Sequence, residues 1–135
     1  MGVTILDAGV VIALLERHDV HRPAARLALA AARSRGDRMV LPASAYSEAL
    51  VGAIRTGPEA RAKVDQFLDE LPATIEPVSR AIAAEAAHLR AADGRVLRLP
   101  DALVLATARV TGADRVVTTD AGFPDVGLPV DVLGA

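Results

Sequence analysis

The stretch RLPDALVLATARVTGADRVVTTDAGF, residues 98–123, predicts a helix that is followed at once by a strand. Pro100 suits the first turn of a helix, and residues 102–110 are apolar enough to form a buried one. Gly112 then ends this helix, since glycine is favoured just beyond a helix C-terminus. A helix and a strand so closely spaced are typical of proteins in which the two elements alternate.

Two carboxylates lie at the ends of this unit. Asp101 lies at the start of the helix, residues 115–118 form the predicted strand, and Asp120 follows that strand. Because the strand follows the helix so closely, both acids are expected near one edge of a sheet. In open α/β sheets that edge, outside the carboxyl ends of the strands, is where ligands bind.

The rest of the chain continues the alternation of strands and helices. Strands are predicted at residues 3–6, 39–41, 74–76 and 130–133, and helices at residues 8–16, 24–33, 45–55, from residue 58, and from residue 79 through 92. Gly9 is expected to form a turn before the first helix, Ser44 to cap the third and Gly94 to follow the fifth. We therefore expect a single domain over residues 1–135, an α/β three-layer sandwich in which helices flank a central parallel sheet of four to five strands.

Composition narrows the class of protein. A chain of 135 residues that is 52% hydrophobic can build a proper core, and the apolar excess indicates a surface buried by a partner or a second copy. The absence of cysteine excludes disulfides and thiolate metal sites. The apolar run at residues 8–15 is too short to span a bilayer and lacks the basic segment of a signal peptide. We expect a soluble, cytoplasmic protein that does not bind a membrane.

The net charge of −2 does not by itself indicate a nucleic acid partner. Fourteen of the 15 basic residues are arginine, with Lys63 the only lysine, and arginine suits phosphate through bidentate hydrogen bonds. A general bias toward arginine and alanine explains the same composition equally well.

Four carboxylates are expected to meet at the C-terminal edge of the sheet: Asp7, Glu48, Asp101 and Asp120. Each acid alone suits a turn, a cap or a solvated helix surface, and Asp125 competes with Asp120 for the fourth place. As a set they are more informative, because right-handed crossovers bring all four positions to the same edge. Carboxylates ~4 Å apart repel by roughly 4 kcal/mol at an effective dielectric constant near 20.

Such a cluster raises its own pKa values or binds a cation. Hard oxygen ligands, without cysteine or a suitably placed histidine, select Mg²⁺ or Mn²⁺. Those ions in an open acidic pocket serve phosphodiester or phosphoryl chemistry, in which they polarise a phosphate oxygen and lower the pKa of an attacking water.

The segments ILDAGVVIALL, SEAL, LPDALVLATA and VVTTDAGF together resemble PIN-domain ribonucleases, and within them the VapC-type toxins of type II toxin–antitoxin systems. The resemblance covers the whole chain. It implies an Mg²⁺-dependent endoribonuclease, with Mn²⁺ able to substitute, that hydrolyses RNA with a metal-activated water. It also implies a homodimer and a cognate antitoxin partner.

The resemblance implies a role for each of the four acids. Asp7, Glu48, Asp101 and Asp120 are the expected catalytic residues, and the first, third and fourth of these are the expected metal ligands. Thr118 or Thr119 is expected to support the ligands. One position departs from the family pattern, because Gly9 stands where a Ser or Thr is common, and a missing hydroxyl there weakens metal affinity.

Two other functions remain open at this point. A phosphatase or phospho-acceptor with Asp7 as nucleophile would need a second acid at position 9 or a lysine late in the chain, and Gly9 and the mid-chain Lys63 argue against it. A catalytically weak PIN-like module that binds RNA or protein would fit a site impaired by Gly9.

Overall fold

A computed structural model describes residues 2–92 and 97–134 of the chain. It contains five strands, β1 (Val3–Leu6), β2 (Arg38–Pro42), β3 (Ala73–Glu76), β4 (Arg115–Thr118) and β5 (Val130–Val132). Its helices are α1 (Ala8–Leu15), α2 (Arg22–Arg35), α3 (Ala43–Thr56), α4 (Pro58–Glu70), α5 (Arg80–Ala92) and α6 (Leu99–Thr111). Gly94, which the sequence places after the fifth helix, lies outside the described residues.

The five strands form one sheet in the order β3-β2-β1-β4-β5, and every neighbouring pair is parallel. This confirms the predicted α/β architecture with a parallel sheet of four to five strands and flanking helices. Strands β2 and β3 follow β1 in the chain and lie on one side of it. Strand β4 then pairs with β1 on the other side. The order therefore reverses between β1 and β4, which is the point at which open parallel sheets form a ligand crevice.

The three central strands supply the middle of the hydrophobic core. Ile5 of β1, Val40 of β2 and Val116 of β4 are fully buried, as expected for apolar runs in a sheet covered on both faces. The edge strand β5, in contrast, has mostly exposed side chains.

Helix α6 lies between the sheet and α5. Val104 and Ala108 belong to the main core cluster around the sheet. Leu105 instead packs in a second cluster with Ile82 and Ala86 of α5. Because both flanks of α6 are apolar, the helix is held firmly, and its first turn is fixed at the carboxyl edge of the strands.

Two predicted local features were wrong. Gly9 forms no turn, since α1 begins directly after Asp7 and Gly9 is already helical. Ser44 does not cap α3, because β2 passes into the helix without a loop and Pro42 takes the capping position. The Ser44 hydroxyl is consequently buried without a hydrogen-bond partner among the described residues.

The caps predicted for other helices are present. Gly112 ends α6 in the left-handed conformation, with φ of 68°, which glycine adopts without steric cost. Ser79 accepts a hydrogen bond from the backbone N–H of Ile82 at 3.1 Å at the start of α5. Within residues 2–92 and 97–134, no helix combines the length and apolar character needed to cross a membrane.

Candidate active site

Asp7 lies where β1 passes into α1, and its carboxylate is held from two sides. Its Oδ1 accepts a hydrogen bond from the backbone N–H of Ala8 at 2.8 Å. Its Oδ2 accepts a hydrogen bond from the Thr118 hydroxyl at 2.7 Å. The Asp7 backbone N–H also donates to the Val117 carbonyl at 3.0 Å, so the β1–β4 ladder extends to this residue. Each carboxylate oxygen retains a lone pair for a further partner.

Thr118 links the first acid to the last. Its side chain is fully buried at the end of β4, and its Oγ1 accepts a hydrogen bond from the backbone N–H of Asp120 at 3.1 Å. The Asp120 Oδ1 in turn accepts from the backbone N–H of Gly122 at 2.8 Å. One buried hydroxyl therefore positions Asp7 and shapes the turn that carries Asp120, two residues that lie far apart in the sequence.

The other two acids are carried by helices. Asp101 is half-buried in the first turn of α6, where the helix dipole favours a negative charge. Glu48 lies one turn inside α3, which begins directly after β2. Because β2 and β1 are parallel neighbours, the start of α3 lies at the same sheet edge as Asp7.

The electrostatics show that the four acids are close enough to interact. The pKa of Glu48 is raised, first by partial loss of solvent and then by the carboxylates of Asp7 and Asp101. The pKa of Asp101 is raised by burial and then by the carboxylates of Asp7 and Asp120. Every one of the four acids predicted from the sequence therefore takes part in the same cluster of negative charge.

Arg98 is a positive charge beside this cluster, and no pattern in the sequence marked it as part of the site. It caps the N-terminus of α6 with extended backbone, three residues before Asp101. The charge of Arg98 lowers the pKa of both Glu48 and Asp101. Burial and the neighbouring carboxylates raise these two pKa values by more. Among the described residues, Arg98 therefore offsets only part of the repulsion within the cluster.

Gly9 is explained by a contact across the site. A Cβ atom at Gly9 would overlap with the Oγ1 of Thr119. The space that a side chain at position 9 would fill is therefore already occupied by a hydroxyl, which comes from the residue before Asp120. The contact joins residues at opposite ends of the chain, so no local sequence signal could have revealed it.

The acids do not form a finished chelating site. Across residues 2–92 and 97–134, no three aspartate, glutamate or histidine side chains are grouped in a way that could hold a metal ion as they stand. Two of the acids, Asp7 and Asp120, already accept hydrogen bonds from the backbone.

The remaining candidates lie outside the cluster. The Oδ1 of Asp125 accepts a hydrogen bond from the backbone N–H of Gly127 at 3.0 Å, and Asp125 is not among the charges that shift the pKa of Glu48 or Asp101. His21 approaches the Gly134 carbonyl at 3.2 Å instead of an acid.

Replacing Asp101 with Asn is expected to raise the melting temperature by a few degrees at pH 7 in metal-free buffer. A raised folded-state pKa means that ionisation destabilises the fold, so stability falls as the pH rises from the ordinary value of 3.8 through the raised value. The gain should vanish at lower pH, where the wild-type carboxyl is protonated. Calorimetry across pH 3–8 measures this, with the exposed Asp69→Asn as control. A lower melting temperature at pH 7 would show that the favourable helix dipole outweighs the repulsion.

The contact between Gly9 and Thr119 predicts strong coupling between these two positions. Gly9→Ala is expected to stabilise the Thr119→Ala protein by up to about 1 kcal/mol, because alanine is favoured over glycine in a helix. In the wild-type background the new methyl group meets the Thr119 hydroxyl, and the gain is lost. Urea unfolding of the four proteins measures the difference, and additive effects would contradict it. Gly52→Ala is the control, because a Cβ there meets no atom within 4 Å.

Comparison with solved structures finds the same fold in toxin–antitoxin proteins. The VapBC2 complex of Rickettsia felis, bound to a promoter DNA fragment, matches with a TM-score of 0.79 at 16% identity, covering 98% of this chain and 99% of that chain. VapC20 of Mycobacterium tuberculosis, a toxin that cleaves the sarcin–ricin loop, matches with a TM-score of 0.73 at 19% identity, covering 93% and 95%. A toxin–antitoxin complex from Klebsiella pneumoniae matches with a TM-score of 0.74 at 24% identity, covering 96% of both chains.

Sequence comparison identifies the family. Comparison with curated protein sequences gives no match. The profile of the PIN domain, however, matches residues 4–128, which is most of the chain and includes all four acids. The chain belongs to the PIN domain family.

Proposed function

We propose that this PIN domain is an Mg²⁺-dependent endoribonuclease and the toxin of a VapC-type toxin–antitoxin pair. The observation that carries the proposal is the cluster of Asp7, Glu48, Asp101 and Asp120 at the reversal point of the sheet. Two of its members have raised pKa values, and Arg98 compensates only part of the charge. A cluster that is this poorly neutralised, at the edge where such sheets bind ligands, suits a divalent cation and a phosphate.

The donor set fits magnesium. Asp7, Asp101 and Asp120 would hold the ion, because they offer hard carboxylate oxygens with free lone pairs, and Mn²⁺ would be accepted by the same donors. When bound, such an ion supplies Lewis-acid polarisation of the phosphodiester and lowers the pKa of an attacking water. Glu48 would complete the cluster or orient the water.

The surrounding residues prepare the acids for this role. The Thr118 hydroxyl donates a hydrogen bond to the Oδ2 of Asp7. This bond directs that oxygen toward β4 and limits the orientations of the Asp7 carboxylate. Asp101 is fixed by the buried helix α6, so its position does not depend on a mobile loop. Arg98 supplies a guanidinium near the acids that can hold a phosphate oxygen of the substrate.

The fold comparisons support an RNA substrate and a protein partner. VapC20 is described as cleaving the sarcin–ricin loop, and other proteins of the same fold occur in complexes with antitoxins. We extend these properties to this chain as part of the proposal. The RNA that is cut and the cleavage position depend on surfaces outside the acid cluster.

Apolar surface near the site supports association with an antitoxin and a second copy. A cavity of about 380 Å³ is lined mainly by apolar residues of α1, α3 and α4, and Glu16, Glu48 and Lys63 also line it. Val51 and Ile54 of α3 are exposed by 44% and 53%. Exposed apolar surface of this kind suits burial by a partner, so we assign the cavity to the antitoxin and the face of α3 to a homodimer.

Cleavage of RNA in the presence of Mg²⁺ or Mn²⁺ tests the nuclease function. Asp101→Asn and Asp120→Asn should each lower the cleavage rate by more than roughly 100-fold, since even changes in residues that only support metal ligands cost 10–100-fold. Asp125→Asn is the matched control and should cut at the wild-type rate. Unchanged cleavage by Asp101→Asn would refute the assignment, and loss in Asp125→Asn alone would transfer the fourth role to Asp125.

A catalytically weak module that binds RNA or protein is the second candidate. It is favoured by the spacing of the acids, which form no three-residue metal group in the described parts of the chain. Calorimetric titration with Mg²⁺ separates the two functions, because the nuclease should bind the ion at millimolar concentration and Asp101→Asn should not. A wild-type protein that binds no Mg²⁺ would support the module.

The homodimer has a separate test. Light scattering after gel filtration at micromolar concentration should give twice the chain mass of 14.0 kDa. Ile54→Glu, which places a charge on the exposed face of α3, should shift the mass to that of one chain. A monomeric wild-type protein would remove the dimer from the proposal without affecting the nuclease assignment.

A further inference from the structure

Thr119 carries a hydroxyl that the described part of the fold does not use. The residue lies between Thr118, the last residue of β4, and Asp120, and its side chain is partly buried. Its hydroxyl forms no hydrogen bond with any residue in the ranges 2–92 and 97–134. The Thr118 hydroxyl, in contrast, donates to Asp7 and accepts from the Asp120 backbone. The two neighbouring threonines therefore differ in what they can still bind.

The Thr119 hydroxyl lies against the first turn of α1, two residues beyond Asp7. Its Oγ1 occupies the space of a Cβ atom at position 9, so any residue other than glycine there would displace the hydroxyl. Glycine is a poor helix former, and Gly9 stands in a helix of only eight residues. A residue that weakens the helix but admits a hydroxyl beside an acid indicates that the hydroxyl has a use.

The spacing of the acids limits how they can hold a cation. Within the described residues, no three acidic or histidine side chains are grouped so that they could bind one ion directly. Magnesium keeps several of its waters in most protein sites, because it loses them reluctantly. An ion at this cluster would therefore be held largely through the waters that it keeps. Those waters need hydrogen-bond acceptors on the protein.

A hydroxyl is suited to accept a hydrogen bond from such a water. Each additional carboxylate would increase the repulsion that already raises the pKa values of Glu48 and Asp101. A hydroxyl accepts a hydrogen bond without adding charge, and its own proton remains free to be donated to a carboxylate. Thr119 supplies this neutral group directly beside Asp120 and close to Asp7.

We propose that the acid cluster binds its divalent cation in hydrated form, and that Thr119 is a positioning residue whose hydroxyl accepts a hydrogen bond from one of the ion's waters. This inference rests on the proposed nuclease function and adds the mode of cation binding to it. Asp7, Asp101 and Asp120 surround the ion and hold it in part through water. Thr118 has the separate task of orienting Asp7.

Hexaamminecobalt(III) tests the mode of binding, because this complex ion resembles hydrated magnesium in shape and does not release its ligands. It should bind the wild-type protein in calorimetry and displace Mn²⁺, whose free concentration is measured by electron paramagnetic resonance. Asp101→Asn should weaken the binding of both ions, which places them in the same cluster. A complex ion that does not bind, or that binds without displacing Mn²⁺, would overturn the inference.

Thr119→Val tests the hydroxyl, because valine has nearly the shape of threonine and lacks the oxygen. The affinity for both ions should fall by roughly 10-fold, since residues that support a metal site typically contribute at least that much. Thr119→Ser keeps the hydroxyl and should bind both ions as the wild-type protein does. Thr74→Val is the matched control, since it makes the same change at an exposed position of β3. Equal affinities for the two valine variants would contradict the proposed role.

Moving the hydroxyl to position 9 separates its chemistry from its packing. In Gly9→Ser/Thr119→Ala the new side chain enters the vacated space, where the Cβ of residue 119 lies 3.5 Å from the new Cβ. This double variant should regain the ion affinity that Thr119→Ala loses. Gly9→Ala/Thr119→Ala fills the same space without a hydroxyl and should not regain it. Equal affinities for the two double variants would show that the hydroxyl is not what binds the hydrated ion.

A contact with the RNA is the competing role of this hydroxyl. If Thr119→Val bound both ions normally but bound a single-stranded oligonucleotide more weakly in metal-free buffer, the inference would be wrong. The ion titrations need no RNA, so the two proposals can fail separately. Thr119-dependent binding of the complex ion by a protein that cuts no RNA would support the inference and refute the nuclease function. RNA cleavage with Mn²⁺ that the complex ion does not inhibit would refute the inference alone.

Discussion

The site depends on the parallel pairing of β1 with β4. These strands lie about 110 residues apart in the chain, and only their ladder brings Asp7 beside Thr118 and Asp120. The pairing also creates the reversal of strand order at which a crevice opens. Helix α6 leads directly into β4, so the same pairing sets the position of Asp101. Without this ladder the acids of β1 and β4 would be separated.

The molecule combines a strongly apolar framework with an edge that is electrostatically unfavourable. The central strands are fully buried, and α6 is covered on two sides, so the framework tolerates carboxylates that repel one another. The unfavourable charge is confined to the ends of elements that cannot easily move. Under the proposed function, the Asp101 charge that would bind the cation is also the charge whose ionisation weakens the fold.

The sequence was sufficient to predict the architecture and the meeting of the four acids at one edge of the sheet. Apolar runs such as residues 3–6 and 115–118 indicate buried strands, and an acid directly after such a run has no packing reason to be there. Features that depend on three-dimensional contacts could not be predicted from the sequence. Ser44 looked like a helix cap because its residue type is right, but β2 enters α3 without the loop that a cap requires. In the sequence, Arg98 is an ordinary charged residue before a helix. Its proximity to Glu48 arises only on folding, so no local pattern could predict it.

The Thr119 hydroxyl occupies the space that a side chain at position 9 would fill. This contact affects how relatives of this chain should be compared. Judged from the sequence alone, Gly9 looks like a defect, because the resemblance to the family implies a side-chain hydroxyl at this position. In three dimensions a hydroxyl is present in that volume, contributed from the opposite end of the polypeptide. Evolutionary exchanges of this kind are expected to occur in pairs, so that proteins with a side chain at position 9 carry a smaller residue at position 119. Position 9 considered in isolation would therefore miss the hydroxyl that Thr119 places in this volume.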